Sequence, residues 1–352
     1  MRQFKIAALL LASAILASCG GGGAGDQTTT KVKFSSLVSF GDSLSDVGTY
    51  AVGTVKALGG GKYTINSPAN KIWVELMAAQ LGQSAPCAAQ TGLDGAAAQG
   101  FAVPVADFVG CTAYAQGGAR VTNPVGPGNK LLGGANAVLG QLTVPVTAQI
   151  DRHLARNGGT FKGDEIVFVL AGGNDLFINI ATLAPAAAVT AMGTAGAELA
   201  GYVNTKLTAK GAKYVVVVNL PDVSLTPSAA AGEITAPGSK TLTNTMVTTF
   251  NSQLQQGLAG NANVLYVDAY TVSRDQFANP AQYGLTNVTA QACNTTAPSP
   301  NALGSSLVCT TANLNAGVVD KYQYADSVHP TPYGYQLLAQ LVTSEMAKRG
   351  WL

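Results

Sequence analysis

The chain has 352 residues, 47% hydrophobic and 11% charged, enough apolar side chain for a large buried core and too much for a disordered tail or a collagen-like repeat. Its formal charge of +2 comes entirely from Arg2 and Lys5. Without those two the 20 basic residues become 18, against 18 acidic ones, and a neutral chain argues against nucleic acid as a partner.

At the N-terminus Arg2 and Lys5 precede an apolar run from Ile6 to Leu16, the layout of a secretory signal. The run is too short to span a bilayer. Leu16-Ala17-Ser18-Cys19 resembles the lipobox of bacterial lipoproteins. That resemblance implies cleavage before Cys19 and lipidation of its thiol, so that 1–18 is a signal peptide and 19–33 a lipidated, flexible tether. With Gly20 showing no inner-membrane retention signal, the implied location is the outer membrane, facing periplasm or cell surface. The competing reading is an ordinary cleaved signal with an incidental cysteine. Gly20, Gly22 and Gly25 fit G-x-G-x-x-G, but no strand precedes them and no helical pattern follows, so the dinucleotide reading fails.

From there the pattern alternates. Short β-branched or aromatic runs at Ser36 to Phe40, Thr112 to Ala115, Ile166 to Leu170, Tyr214 to Asn219 and Val264 to Val267 read as buried strands. Helical patterns lie between and after them, at Ala69 to Leu81, Leu142 to Arg156, Ala186 to Ala209, Lys240 to Leu258 and Tyr333 to Arg349. Strands alternating with helices predict a parallel sheet covered on both faces. Three stretches, 88–110, 116–140 and 271–320, read as long excursions from that core. Cys87, Cys111, Cys293 and Cys309 all fall in or beside them. An even number in an exported chain favours disulfides, and sequence neighbours suggest Cys87 with Cys111 and Cys293 with Cys309 among three connectivities. With no C-x-x-C and only two histidines, a metal site is disfavoured.

In parallel sheets ligands bind at the carboxyl ends of the strands. After the first run comes Gly41-Asp42-Ser43-Leu44-Ser45-Asp46, after the second Gln116-Gly117-Gly118-Ala119, after the third Gly172-Gly173-Asn174-Asp175, and after the last excursion Asp326-Ser327-Val328-His329-Pro330. Here the chain resembles the SGNH, or GDSL, hydrolase family, whose four blocks carry Ser, Gly, Asn and His in this order. The resemblance extends to Asn219-Leu220-Pro221, and Gly41 to Tyr50 with Trp73-Val74-Glu75-Leu76 is similar to the family's esterase and lipase branch. It implies a flavodoxin-like three-layer α/β/α sandwich with a five-stranded parallel sheet ordered 2-1-3-4-5, in one hydrolase domain over 34–352.

The residues support the same chemistry on physical grounds. A serine hydroxyl needs a nearby base to become a nucleophile, and only His153 and His329 are available. The helical pattern around His153 predicts a solvated surface residue. His329 lies in a tight polar segment before Thr331 and Pro332, which read as helix cap and first-turn proline, and Asp326 can fold back to hold its other ring nitrogen. The oxyanion needs donors: the N–H of Ser43, the amide of Asn174, and a glycine N–H that alignment with the family's second block places on Gly118, with Gly117 the alternative. Asp42 and Asp46 read as loop and helix-start residues, and Ser45 as structural. No G-x-S-x-G, S-x-x-K, Walker A or H-E-x-x-H pattern competes.

The expected activity is hydrolysis of carboxylic esters, simple, lipid or polymeric, through Ser43, His329 and Asp326 with no cofactor, in a protein whose membrane contact is the lipid on Cys19. An acyltransferase using the same acyl-enzyme, and a non-catalytic surface lipoprotein, are the alternatives.

Overall fold

The computed structural model describes residues 31–296, 301–318 and 321–352; the expected signal segment and Cys19 lie outside the described residues. In chain order, β1 (Leu37–Gly41) leads through a 3-10 turn at Ser43–Ser45 to α1 (Gly53–Ala57) and α2 (Trp73–Gln80). A hairpin, β2 (Gln90–Asp94) and β3 (Ala102–Asp107), and α3 (Gly134–Leu139) occupy the first excursions, followed by α4 (Val146–Arg156). Then come β4 (Ile166–Leu170), α5 (Gly173–Thr182), α6 (Pro185–Tyr202), β5 (Tyr214–Val218), α7 (Pro227–Thr235), α8 (Ser239–Leu258), β6 (Val264–Val267) and α9 (Ala269–Ala278). A short pair, β7 (Asn287–Gln291) and β8 (Tyr322–Tyr324), precedes α10 (Pro332–Lys348).

β1, β4, β5 and β6 form a parallel sheet in the order β1-β4-β5-β6, with Leu37 opposite Ile166, Ile166 opposite Tyr214 and Val215 opposite Val264. Alternate residues point to opposite faces. Val38, Phe40, Val167, Val169, Val215 and Val217 enter one core with α4, α6 and α8, while Leu37, Ile166, Phe168, Leu170, Val216 and Val218 enter another with α2 and α10. Hence the apolar runs, broken only by the buried Ser39 of β1: a strand covered on both faces has no solvent side to mark with polar residues. Each fully buried valine or phenylalanine contributes about 1.5–3 kcal/mol of transfer free energy. The small residues of α6 let it approach α8 closely, and a Cβ on Gly196 would lie 2.4 Å from the Phe250 carbonyl oxygen.

Two expectations are corrected. The regular parallel sheet has four strands, because the run at 112–115 makes only a single parallel bridge, Ser39 to Ala113, beside β1. It occupies the expected edge position: Ser39 N–H donates to Thr112 O at 3.1 Å and Tyr114 N–H to Ser39 O at 2.8 Å. The run is tied at its start by the Cys87–Cys111 disulfide and turned beyond its end by Gly118, whose φ is 79°. The second correction is His153, which is buried. Val146, Gln149, Ile150, His153 and Leu154 form the inward stripe of α4, and the polar neighbours Asp151 and Arg152 disguise a residue whose helical period points it inward.

Both expected disulfides are formed, Cys87–Cys111 and Cys293–Cys309, each worth about 3 kcal/mol in the chain-entropy model. The excursions meet in a small core of their own, where Leu307 and Val308 pack with Tyr50, Val55, Tyr63, Leu93 and Phe101. No helix among the described residues is long and apolar enough to cross a membrane.

Candidate active site

The exit of β1 is held open for a polar turn by a glycine. A Cβ on Gly41 would fall 2.1 Å from Leu170 O on β4, so only glycine lets the two strand ends close together. Gln149 of α4 clamps this glycine, accepting from its N–H at 2.9 Å and donating to its carbonyl at 2.8 Å. Asp42 then caps the 3-10 turn by accepting from Leu44 N–H at 3.0 Å, which sets Ser43 at the first position of the turn, 7% exposed. Ser45 accepts from the Trp73 indole at 3.1 Å, a structural role as expected. Burial raises Asp42 to about 7 and Asp46 to about 6, against hydrogen bonds that favour the charged forms.

Asp46 does more than start a helix. Its carboxylate accepts from Gly48 and Thr49 at 2.9 and 2.7 Å and, across 71 residues, from the Gly117 N–H at 2.8 Å. The bond joins the first block to the second and engages the N–H of Gly117. Among the described residues no hydrogen bond takes the N–H of Gly118. A Cβ on Gly118 would lie 2.1 Å from Pro127 O.

The third block begins at Gly172, at φ 118°, where the Phe250 ring fills the space a Cβ would need. Asn174 follows in the first turn of α5, 6% exposed, and its amide donates to Ala119 O at 2.8 Å rather than closing an Asx turn. One amide hydrogen remains for another acceptor. Asp175 secures the same junction by accepting from Val121 N–H at 2.9 Å and pairing with Arg120 at 3.0 Å.

The fourth block is a turn built on Asp326. One carboxylate oxygen accepts from the backbone N–H groups of Val328 and His329 at 3.0 and 2.8 Å, and the other from Ser306 N–H at 2.9 Å. Both oxygens face His329 Nδ1, at 2.9 and 2.8 Å. Burial would raise the Asp326 pKa, but the His329 charge and these hydrogen bonds outweigh it and hold the carboxyl well below its usual range. Thr331 caps α10 by accepting from Gly334 N–H at 3.1 Å, with Pro332 at the first helical position. On the far side of the imidazole, Nε2 lies 2.9 Å from Ser43 Oγ. The Tyr63 ring packs on His329 with centroids 4.7 Å apart, its hydroxyl accepting from Gln141 at 2.6 Å.

The fold thus brings Ser43, His329 and Asp326 into one hydrogen-bonded chain, with Asn174 and Gly118 bonded to or beside Ala119 at the second block. Such a chain can move the serine proton to the imidazole while the carboxylate holds the opposite nitrogen. Sequence reasoning passes over Tyr63, Gln149 and Asp175 and reads Asp46 only as a helix start; all four position these groups. Charge was the available signal for the two aspartates, since few carboxylates occur in a chain 11% charged and these two lie inside the blocks. His153 is remote from this chemistry, enclosed by Phe40, Tyr114 and Phe161.

A family model described as GDSL-like Lipase/Acylhydrolase matches residues 37–342. Two proteins named esterase EstA, from Pseudomonas aeruginosa and Pseudomonas putida, are each 32% identical over 141 residues, covering 38% of this chain and 20% of theirs. A GDSL esterase/lipase of Arabidopsis thaliana is 27% identical over 103 residues, covering 28% of this chain and 27% of that protein. The matched stretch therefore spans about a fifth of the length of the two Pseudomonas relatives.

Proposed function

The chain belongs to the GDSL-like lipase/acylhydrolase family, and from that membership and the geometry around Ser43 we propose that it hydrolyses carboxylic esters as a serine enzyme. The observation that carries the reading is the placement of His329 Nε2 2.9 Å from Ser43 Oγ with Asp326 2.8 Å from Nδ1. Ser43 attacks the ester carbonyl as His329 takes its proton, and Asp326 fixes the imidazole tautomer and stabilises the imidazolium. The N–H groups of Ser43 and Gly118 and the Asn174 amide receive the oxyanion. Collapse expels the alcohol, which leaves with the proton from His329. Water activated by the same imidazole then hydrolyses the acyl-enzyme and restores Ser43. No step requires a cofactor.

A fluorophosphonate should label Ser43, and Ser43→Ala should abolish both labelling and ester turnover. Labelling at another serine, or a fully active Ser43→Ala enzyme, would overturn the mechanism.

The same reading places the hydrolase domain at 34–352 in an exported protein anchored through lipid on Cys19. Two disulfides support the export, because such bonds persist in oxidising compartments. Mass spectrometry of the mature N-terminus should find a modified Cys19, and Cys19→Ser should release the protein from membranes or leave it unprocessed, since stable anchoring takes more than one acyl chain. An unmodified N-terminus starting elsewhere refutes the anchor.

A further inference from the structure

Two segments far apart in the chain brace the His329–Asp326 pair. The first is 62–66, ahead of α2, where the Tyr63 ring packs on His329 and Thr64 Oγ1 donates to Pro330 O at 3.1 Å. It is anchored from α10, whose Tyr335 hydroxyl donates to Tyr63 O at 3.1 Å. The second is the 3-10 turn Ser306–Val308 of the last excursion, which brings the Ser306 N–H to Asp326. The Val328 and His329 N–H groups both fall on Oδ1 of that carboxylate. Besides the imidazole, it is the Ser306 N–H that fixes Oδ2, at 2.9 Å.

Asn66 ties the two segments together. It is 6% exposed, and its side chain reaches in both directions. Within its own segment Oδ1 accepts from Lys62 N–H at 2.9 Å, and Nδ2 faces Lys62 O and Thr64 O at 2.9 and 3.1 Å. The same nitrogen faces Ser306 O at 3.0 Å and Cys309 O at 3.1 Å, and the Asn66 backbone N–H donates to Cys309 O at 2.6 Å. Cys309 is bonded to Cys293, whose N–H donates to the carbonyl of Ala325, next to Asp326. These carbonyls share the two hydrogens of one amide. Without it, buried carbonyl oxygens from the two segments face one another unpaired, a cost relieved by moving the Ser306 turn away.

Neither Asn66 nor Ser306 lines the cleft that holds Ser43 and His329. Building on the ester-hydrolase reading, we propose that Asn66 is a positioning residue for the reaction: it holds the Ser306 N–H on Asp326, and so keeps both carboxylate oxygens on His329 Nδ1. Its effect reaches Ser43 only through Asp326 and His329.

Asn66→Ala, in the full chain, should lower kcat for a p-nitrophenyl ester about 10- to 100-fold with KM little changed. The His329 Nδ1 proton, deshielded by the carboxylate, should move upfield in the NMR spectrum, and with two histidines in the chain His153→Phe assigns it. Asn66→Ser stands in if melting shows the alanine variant unfolded at the assay temperature. Ser306→Pro cuts the link at its other end. Ser306 opens its turn after an extended Ser305, a place that suits proline, and its hydroxyl has no hydrogen-bond partner among the described residues. This variant should reproduce both changes, and the double variant should lose no more than the worse single one, because both break the same path. Wild-type kcat with the proton unmoved in either folded variant, a change in KM alone, or losses that multiply in the double variant overturns the role of Asn66. If wild type cleaves esters and is labelled at Ser43, only that role falls. A wild-type protein that does neither removes the hydrolase reading itself.

Discussion

His153 and His329 are the two histidines of the chain, and each packs against an aromatic ring, Phe161 at 4.6 Å from the first and Tyr63 at 4.7 Å from the second. They differ in what meets the ring nitrogens. His329 has a buried carboxylate on Nδ1 and a serine hydroxyl on Nε2. His153 has the Asn157 amide 3.4 Å from Nδ1, and among the described residues Nε2 has no partner at all. Desolvation dominates at His153 and lowers its pKa from 6.5 to about 4, the nearby Glu165 only partly countering it. Burial without a hydrogen-bonded carboxylate leaves the His153 imidazole a poor base.

Exchanging the two histidines is the harshest way to break this comparison. His329→Ala should cut kcat by about 10⁴-fold or more with a thermal midpoint near wild type, whereas His153→Phe should keep kcat, because the hydrogen bonds of the His153 side chain lead to Asn157 and not to Ser43, His329 or Asp326. A His153→Phe enzyme that folds but loses turnover would mean the two regions are coupled. Stability and steady-state rates of both variants decide it.

Asn174 sharpens the picture on the oxyanion side. Asn174→Ala should reduce kcat by about 10² to 10³ with KM little changed, and lose about 1 kcal/mol from the hydrogen bond to Ala119. Asn174→Asp should be at least as damaging to kcat, because a carboxylate removes the donor and repels the developing charge. Near-normal turnover in Asn174→Asp would take the residue out of the mechanism and leave it a structural tie to Ala119.

The smallest effect is expected in the pH dependence of folding. With a pKa of 6.5 unfolded and about 4 folded, His153 binds a proton in the unfolded chain that the folded protein refuses, so stability declines as pH falls from 6.5 toward 4, by at most about 3 kcal/mol. Asp42 and Asp46 titrate nearby with the opposite sign, their raised values favouring the folded state as pH falls. Both remain in His153→Phe, so the difference between the two melting curves isolates the histidine. Parallel curves from pH 7 to 4 would show that the imidazole is not held neutral.

What was legible in the sequence is local. Ile166–Leu170 and Val264–Val267 are the strands their β-branched runs predict, and Thr331 and Pro332 start a helix where cap chemistry says they should. The four blocks stand at strand ends or in turns because Gly41, Gly172 and Gly118 take up backbone conformations or close approaches that few other residues allow. Each of these features is decided within a few residues, by side-chain branching, capping or φ.

Only the tertiary structure decided the rest, since it depends on partners far apart in the chain. Asp46 engages the Gly117 N–H from 71 residues away. Ser306, carried in on the last excursion, donates to Asp326, and Tyr63 closes over His329. The stripe of α4 that buries His153 looks amphipathic in sequence, and periodicity cannot say what it faces. That is set by which helices the sheet order makes neighbours.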